Sequence, residues 1–299
     1  MTLSAYQIFV TVAECRNLTM AAARLHLTKS AVSHALAKIE DNCRFSLFYR
    51  NQKTVELTEA GKRLLPYAYA VLQEDTKFEE QVHSLQGLTS GLVRMGTCSS
   101  TCINWIPEIV RTFRDKYPKI ELQIRSGANN SQIIQWLRNN EIDIGLGGAE
   151  PNSGLVIEPI YKDELLCVTN RDFRPANPDF VTPEDIRNLP LILQEGDYDE
   201  EAVMALARLN VEISSYYTAY DDSCLVAMVE GGFGYCVEGK LSLKPLRSKV
   251  SVYSFHPPIY RQISLLRNSY DMPSPAAKKM WAHVREYVES YPEYELHLS

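Results

Sequence analysis

The sequence predicts an α/β protein with an N-terminal winged helix-turn-helix, a long linker helix and a two-lobed α/β domain. Two short apolar stripes with helical spacing meet at a corner within residues 20–40. A seven-residue apolar repeat follows over residues 64–85, and strands alternate with helices from residue 91 onward. We therefore divide the chain into residues 1–58, 59–90 and 91–299.

The first segment is predicted to contain three helices and a strand pair. A first amphipathic helix covers about residues 4–14, and two further helices cross within "MAAARLHLTKSAVSHALAKIE". Thr28 is a suitable N-cap for the third helix, whose apolar residues recur at i, i+3, i+4 and i+7. A strand at "KTVELT" completes a wing centred on residues 51–53. A plain helical hairpin is the alternative, but the polar face has no carboxylate before Glu40, which favours nucleic acid.

Composition and charge agree with a nucleic-acid-binding end on an otherwise acidic chain. The net charge is −6, yet residues 1–66 carry nine Lys and Arg against five Asp and Glu. No apolar run is long enough to span a bilayer and the N-terminus lacks a signal sequence, so a cytoplasmic location without membrane contact is expected. Seven cysteines without CxxC pairs predict neither a disulfide framework nor a metal site. With no nucleophile elbow, metal-spaced His pair or phosphate loop, neither an enzyme nor a cofactor is expected.

The linker helix is predicted from Thr58, its N-cap, to Gly87, its stop, a length of roughly 42 Å. It carries a seam with heptad spacing, formed by Leu64, Ala68, Val71, Asp75, Phe78, Val82 and Leu85. Asp75 is the one charged member, and it either fixes the register of the pair or marks a slightly shifted frame. The simplest partner is the same helix of a second copy, and packing on its own domain is the alternative. The residues expected at the dimer interface are Leu64, Val71, Phe78 and Leu85.

The third segment is predicted to form two α/β lobes around a cleft. Strands "GLVRMGT", "IELQIRSG" and "IDIGLGG" alternate with helices near residues 103–117 and 131–140, which indicates a parallel sheet. A second set of strands and helices follows before "YRQISLLRN" returns the chain to a last helix. The first lobe comprises about residues 91–161 and 267–299, and the second about residues 162–266. Sheets of this type bind ligands at their strand ends, here between the lobes.

The segments "FVTVAE", "AAARLHLTKSAVSHALAKIE", "LFYR" and "LTEAG" resemble the N-terminal signature of LysR-type transcriptional regulators. The resemblance implies a winged helix-turn-helix on promoter DNA, a dimerising linker helix and a two-lobed effector domain similar to periplasmic solute-binding proteins. Such chains commonly assemble as dimers or tetramers. This sequence departs from the pattern at Lys29 and Ser30, where Gln and Pro are frequent, and at His34, where Arg or Gln is common. The wing holds one basic residue, Lys53.

The third helix supplies the expected contacts to double-stranded DNA. Ser33 and His34 are the candidates for base edges, since side chains in the major groove specify sequence. Lys29, Ser30, Lys38 and Lys53 are the candidates for the phosphate backbone.

A small-molecule effector is expected between the lobes. "GTCSSTC" ends a strand and opens a helix, and in the family the matching stretch lines the effector cleft; helix capping alone is the alternative. The expected effector-binding residues are Cys98, Ser99, Ser100, Thr101, Ser126, Gly127, Gln194 and Tyr198. The carboxylates of "EGDYDEE" favour a cationic ligand or form a solvated loop.

Two other functions stay open at this stage. Cys98 and Cys102 are four residues apart, so a thiol-sensing regulator is one alternative. A solute-binding or enzymatic α/β protein with an incidental helical extension is the other.

Overall fold

The N-terminal module is a winged helix-turn-helix. The computed structural model describes residues 2–50, 55–86, 89–127, 129–149, 151, 153–194, 200–213, 215–219, 222–243, 250–270 and 272–291. Within it the module comprises α1 (Leu3–Cys15), α2 (Leu18–Arg24), α3 (Lys29–Cys43) and the antiparallel strands β1 (Phe48–Arg50) and β2 (Val55–Leu57).

Side-chain caps fix the starts of α2 and α3. The side chain of Asn17 accepts hydrogen bonds from the amides of Thr19 and Met20 at the start of α2. Thr28 accepts from the amide of Ala31 at the start of α3, which confirms the predicted cap. The predicted apolar stripe of α3 is buried in the module core.

The linker helix α4 (Glu59–Leu85) begins where the sequence predicts. Thr58 caps it by accepting from the amide of Gly61 at 3.0 Å. A Cβ atom at Gly61 would lie 2.2 Å from the carbonyl oxygen of Leu47, so this glycine allows α4 to approach the module closely. In the first half of α4, Ala68 and Tyr69 are buried in the core of the N-terminal module.

The C-terminal domain is built on a seven-stranded mixed sheet and a two-stranded parallel sheet. The large sheet contains β3 (Gly91–Thr97), β4 (Ile120–Ser126), β5 (Ile144–Gly147), β6 (Leu155–Thr169), β7 (Phe180–Val181), β10 (Cys236–Gly239) and β11 (Ser251–Asn268). The small sheet pairs β8 (Leu191–Gln194) with β9 (Tyr216–Ala219). The helices are α5 (Ser99–Asn104), α6 (Ile106–Lys116), α7 (Asn130–Arg138), α8 (Pro183–Ile186), α9 (Glu200–Arg208), α10 (Asp222–Glu230) and α11 (Pro275–Glu289).

The predicted parallel pairing of the first three strands is confirmed, and the structure adds antiparallel strands to the same sheet. β3, β4 and β5 pair in parallel, whereas β6 and β11 are long antiparallel strands that run through both lobes. Ile263 and Leu265 of β11 are buried in the first lobe's core, so the chain returns to that lobe a few residues before position 267. The predicted helix over residues 103–117 is two helices, because Pro107 has no amide hydrogen and fits only in the first turn of a helix, so a new helix begins at Ile106.

The second half of α4 is joined to the first lobe by buried polar contacts. Gln73 Nε2 donates to Asp143 Oδ1 at 2.6 Å, and Glu80 accepts from the amides of Leu92 at 3.0 Å and Ala276 at 3.3 Å. A Cβ atom at Gly91 would lie 2.4 Å from the Glu80 carboxyl carbon, so the close approach requires glycine. Among the described helices, none has the length and apolar character needed to cross a bilayer.

Candidate functional site

The polar face of α3 is open to solvent. Lys29, Ser30, His34 and Lys38 are exposed and Ser33 is half-buried, which confirms the predicted orientation of these side chains. Glu40 accepts hydrogen bonds from the amides of Leu47 and Phe48 and thereby fixes the start of β1. Lys53 lies outside the described residues. The face that α3 presents therefore combines hydroxyls, an imidazole and two ammonium groups, all able to donate to DNA.

A polar cavity of about 110 Å³ lies between the lobes. Cys98, Ser99 and Ser100, at the junction of β3 and α5, line it from the first lobe. Gln194, at the end of β8, lines it from the second lobe. The structure therefore brings together four of the residues that the sequence predicted for the effector site. We call this space the inner cavity.

Arg261, on the crossing strand β11, lines the inner cavity. Arg261 Nε donates to Asp163 Oδ2 at 2.8 Å, and Nη2 donates to Ser100 Oγ at 3.0 Å. Asp163 is fully buried and also accepts from the amide of Leu241 at 3.1 Å. A Cβ atom at Gly239 would lie 2.3 Å from Asp163 Oδ2, so only glycine leaves room for this ion pair. Arg261 thus links the crossing strands to the first lobe.

Sequence analysis missed Arg261 and Asp163. The two residues lie in β11 and β6, which were predicted as strands from their apolar residues. Their ion pair forms because the register of β6 and β11 places them opposite each other. A charged residue next to the buried part of a strand could have indicated such a pair, because a buried charge needs a partner. Asn130, Gly239 and Glu238 also line the inner cavity and were not anticipated.

Three predicted effector residues do not line the inner cavity. Thr101 is fully buried, and its hydroxyl is engaged with the Thr97 hydroxyl and with the carbonyl of Cys98. Ser126 is exposed at the end of β4, and Gly127 packs against Ile133 and Trp136; neither is among the described residues lining the inner cavity. The reason is that β4 is the outermost strand of the sheet. Tyr198 lies outside the described residues.

The two neighbouring cysteines do not resemble a reactive pair. Cys98 Sγ lies 3.4 Å from Ser100 Oγ and 3.3 Å from Thr101 Oγ1. Burial raises the pKa of Cys102, which disfavours the nucleophilic thiolate. The described residues contain no cluster of three His, Cys, Asp or Glu side chains placed to hold a metal ion.

The apolar seam of α4 is largely uncovered in the single subunit. Val71 and Val82 are exposed, and Phe78 and Leu85 are 70% and 81% exposed. Leu64 differs, because it packs partly against the core of its own module. Four exposed apolar side chains on one face of a helix, with Asp75 between the first two, are typical of an interaction surface.

Comparisons with known proteins agree with both halves of this architecture. Residues 3–62 match the model of the lysR-family bacterial regulatory helix-turn-helix protein, and residues 86–289 match the LysR substrate binding domain. The chain is 28% identical over 281 residues to YvbU of Bacillus subtilis strain 168, an uncharacterized helix-turn-helix-type transcriptional regulator. That alignment covers 93% of this chain and 96% of YvbU.

Solved structures share the fold. A full-length OxyR variant from Pseudomonas aeruginosa superposes with a TM-score of 0.77 at 16% identity, covering 99% of this chain and 97% of that one. The effector binding domain of QuiR, in complex with shikimate, superposes with a TM-score of 0.60 at 21% identity and covers 68% of this chain and 99% of that domain. The helix-turn-helix, the linker helix and the two-lobed domain thus occur together in similar proteins. The chain belongs to the LysR family of transcriptional regulators.

Proposed function

We propose that a small molecule bound in the inner cavity changes how α3 and its symmetry mate bind promoter DNA. The observation that carries this proposal is the bond between Arg261 and Ser100, which joins the crossing strands to the first lobe inside a cavity shared by both lobes. A ligand that hydrogen-bonds to Ser100 competes with or reinforces this link. Binding in the cavity is thereby coupled to the relative position of the lobes.

The ligand shifts the lobes only through a difference in its affinity for two arrangements. Ser99 and Ser100 contact it from the first lobe and Gln194 from the second, so a closed arrangement offers more hydrogen bonds than an open one. The helix α4 is fixed to the first lobe through Gln73 and Glu80. A change in the relative position of the lobes or of the subunits therefore alters the placement of the DNA-binding modules.

The active unit in this proposal is a homodimer or a homotetramer. Pairing of two α4 helices covers the apolar seam and sets the separation of two α3 helices, as two half-sites require. Lys29, Ser30, Lys38 and Lys53 hold phosphates, and Ser33 and His34 read bases. Such a regulator acts in the cytoplasm, where the DNA is, and has no catalytic role.

Footprinting on the DNA upstream of the protein's own gene, with and without a panel of metabolites, tests this function. The full chain protects two half-sites, and one or more metabolites change the protected pattern. Ser100→Ala abolishes that change while leaving basal protection intact, and Ser290→Ala, at an exposed serine on the far end of α11, behaves as wild type. Absence of any protected site at low salt contradicts the proposal.

A further inference from the structure

The cleft extends beyond the inner cavity into a second, larger space. This outer cavity has a volume of about 410 Å³. Asn130, Gly148, Leu165, Arg261 and Gln262 line both cavities, so the two spaces adjoin along the crossing strands. A ligand that fills the inner cavity of about 110 Å³ therefore has room to extend outward.

The walls of the outer cavity are more apolar than those of the inner one. From the first lobe, α7 contributes Ile134, and from the second lobe, α9 contributes Met204 and Ala205. Tyr260 of β11 adds an aromatic ring. Met204 is 44% exposed although methionine favours apolar surroundings. An apolar ligand segment between α7 and α9 would cover this surface.

A cationic group lies beside the apolar wall. Arg208 lines the outer cavity one helical turn after Met204, so both side chains lie on the same face of α9. Arg208 is exposed and makes no ion pair or hydrogen bond with any described residue. Arg261 differs, because its guanidinium is bound to the buried Asp163. Arg208 is thus available to a carboxylate or another anionic group.

We propose that the effector is an amphipathic organic anion that spans both cavities. Its hydrogen-bonding end binds Ser99, Ser100 and Gln194, its hydrocarbon or aromatic body packs on Ile134, Met204 and Tyr260, and its anionic group pairs with Arg208. This inference rests on the proposed function and specifies the chemistry of its ligand. It replaces the cationic ligand that the acidic stretch after Gln194 suggested.

Calorimetric titration of the full chain with a graded set of probes tests the ligand class. The probes are hydroxybutyrate, hydroxyhexanoate and hydroxyoctanoate, each hydroxylated at the terminal carbon, with hexanoate and hexanediol as comparison compounds. Affinity increases with chain length because more apolar surface is buried. Hexanoate and hexanediol each bind about tenfold more weakly than hydroxyhexanoate, because each lacks one polar end.

Variants separate the two ends of the site. Arg208→Gln lowers affinity for hydroxyoctanoate about tenfold and leaves affinity for hexanediol unchanged, since only the carboxylate is affected. Met204→Glu, at an exposed position, weakens every carboxylate probe by placing a like charge in the cavity. Arg187→Gln is the matched control, because this exposed arginine pairs with Glu184 on α8 and lines neither cavity.

Three results overturn the inference. Probes that lose affinity in Ser100→Ala but not in Arg208→Gln or Met204→Glu bind the inner cavity alone, which leaves the proposed function intact. Equal losses for carboxylates and hexanediol in Arg208→Gln show that the arginine has only a structural role. Absence of binding by every probe at millimolar concentration excludes this ligand class, and footprinting with metabolites still tests the proposed function separately.

Discussion

The side-chain amide of Gln73 donates a hydrogen bond of 2.6 Å to Oδ1 of Asp143, joining the linker helix to the first lobe. Oδ2 of the same carboxylate accepts from the amide of Arg94 at 2.7 Å. Gln73 is buried, so removing its amide leaves part of a carboxylate without a hydrogen-bond donor.

Gln73→Ala is therefore expected to weaken the attachment of α4 by about 1–3 kcal/mol. The measurement is hydrogen exchange of the α4 amides, which reports local opening. Gln81→Ala, at an exposed position of the same helix, is the control for helix propensity. In a double-mutant cycle with Asp143→Asn the two effects are non-additive; additive effects contradict a direct bond.

Glu80 is predicted to hold the start of β3 and the start of α11 together. Its two oxygens accept from the amides of Leu92 and Ala276, whereas a glutamine has only one acceptor oxygen. Glu80→Gln is expected to increase exchange at the amide that loses its acceptor, whereas Glu79→Gln, at the preceding exposed position, is expected to leave both amides unchanged. Equal exchange in the two variants argues against the predicted role.

The seam of α4 is predicted to pair subunits. Replacing Val71 and Phe78 by Asp places charges in the apolar interface, and sedimentation is expected to show monomers that no longer bind two half-sites. Gln81→Asp, at an exposed position outside the seam, is expected to sediment as wild type. A dimer that persists in the double variant places the subunit interface elsewhere.

His34 is predicted to read a base. His34→Ala is expected to change preference by about 1–3 kcal/mol at one base position, because a major-groove contact is lost. Lys38→Ala is the contrasting variant: it weakens binding to all sequences alike and reduces the salt dependence, since phosphates carry no sequence information. Selection of binding sequences from a random pool measures both. An unchanged preference profile removes His34 from the reading face.

His283 is predicted to make the fold less stable in acid. Burial lowers the pKa of His283 below its ordinary 6.5, while its Nε2 lies 2.9 Å from the Thr112 hydroxyl. The unfolded chain then binds more protons than the folded one just below pH 6.5, so stability declines as pH falls through this region. The thermal midpoint of wild type is expected to drop more between pH 7 and pH 5 than that of His283→Gln. Parallel profiles exclude His283 as the source.

Local sequence patterns were sufficient to predict the helices of the N-terminal module and the linker helix. The caps at Thr28 and Thr58 and the apolar stripe of α3 depend on residues a few positions apart, so they are readable from the chain alone. Ser99 and Ser100 were placed in the cleft because their strand-to-helix junction matches the stretch that lines the effector cleft in the resembled family.

The register of strands that are far apart in the sequence could not be predicted from the sequence. Nothing local indicates that Asp163 and Arg261, 98 positions apart, lie opposite each other on paired strands. The same limit explains why Ser126 does not line the inner cavity, since its position depends on β4 being the outermost strand of the sheet. Thr101 instead turns its hydroxyl toward Thr97 on the preceding strand. The predicted helix is split because Pro107, which cannot donate a backbone hydrogen bond, lies in the first turn of α6.

The polar docking of α4 limits how regulators of this type can be recombined. A hybrid that joins this DNA-binding module and linker to another protein's ligand domain inherits Gln73 and Glu80. It lacks the Asp143 carboxylate to which Gln73 donates and the two backbone amides from which Glu80 accepts. Unless the foreign domain supplies a carboxylate where Asp143 stands and a glycine where Gly91 lets the helix approach, the two parts are connected only by the peptide chain. Such a hybrid would bind DNA and ligand independently, and transplanting these docking positions along with the module is the way to restore communication.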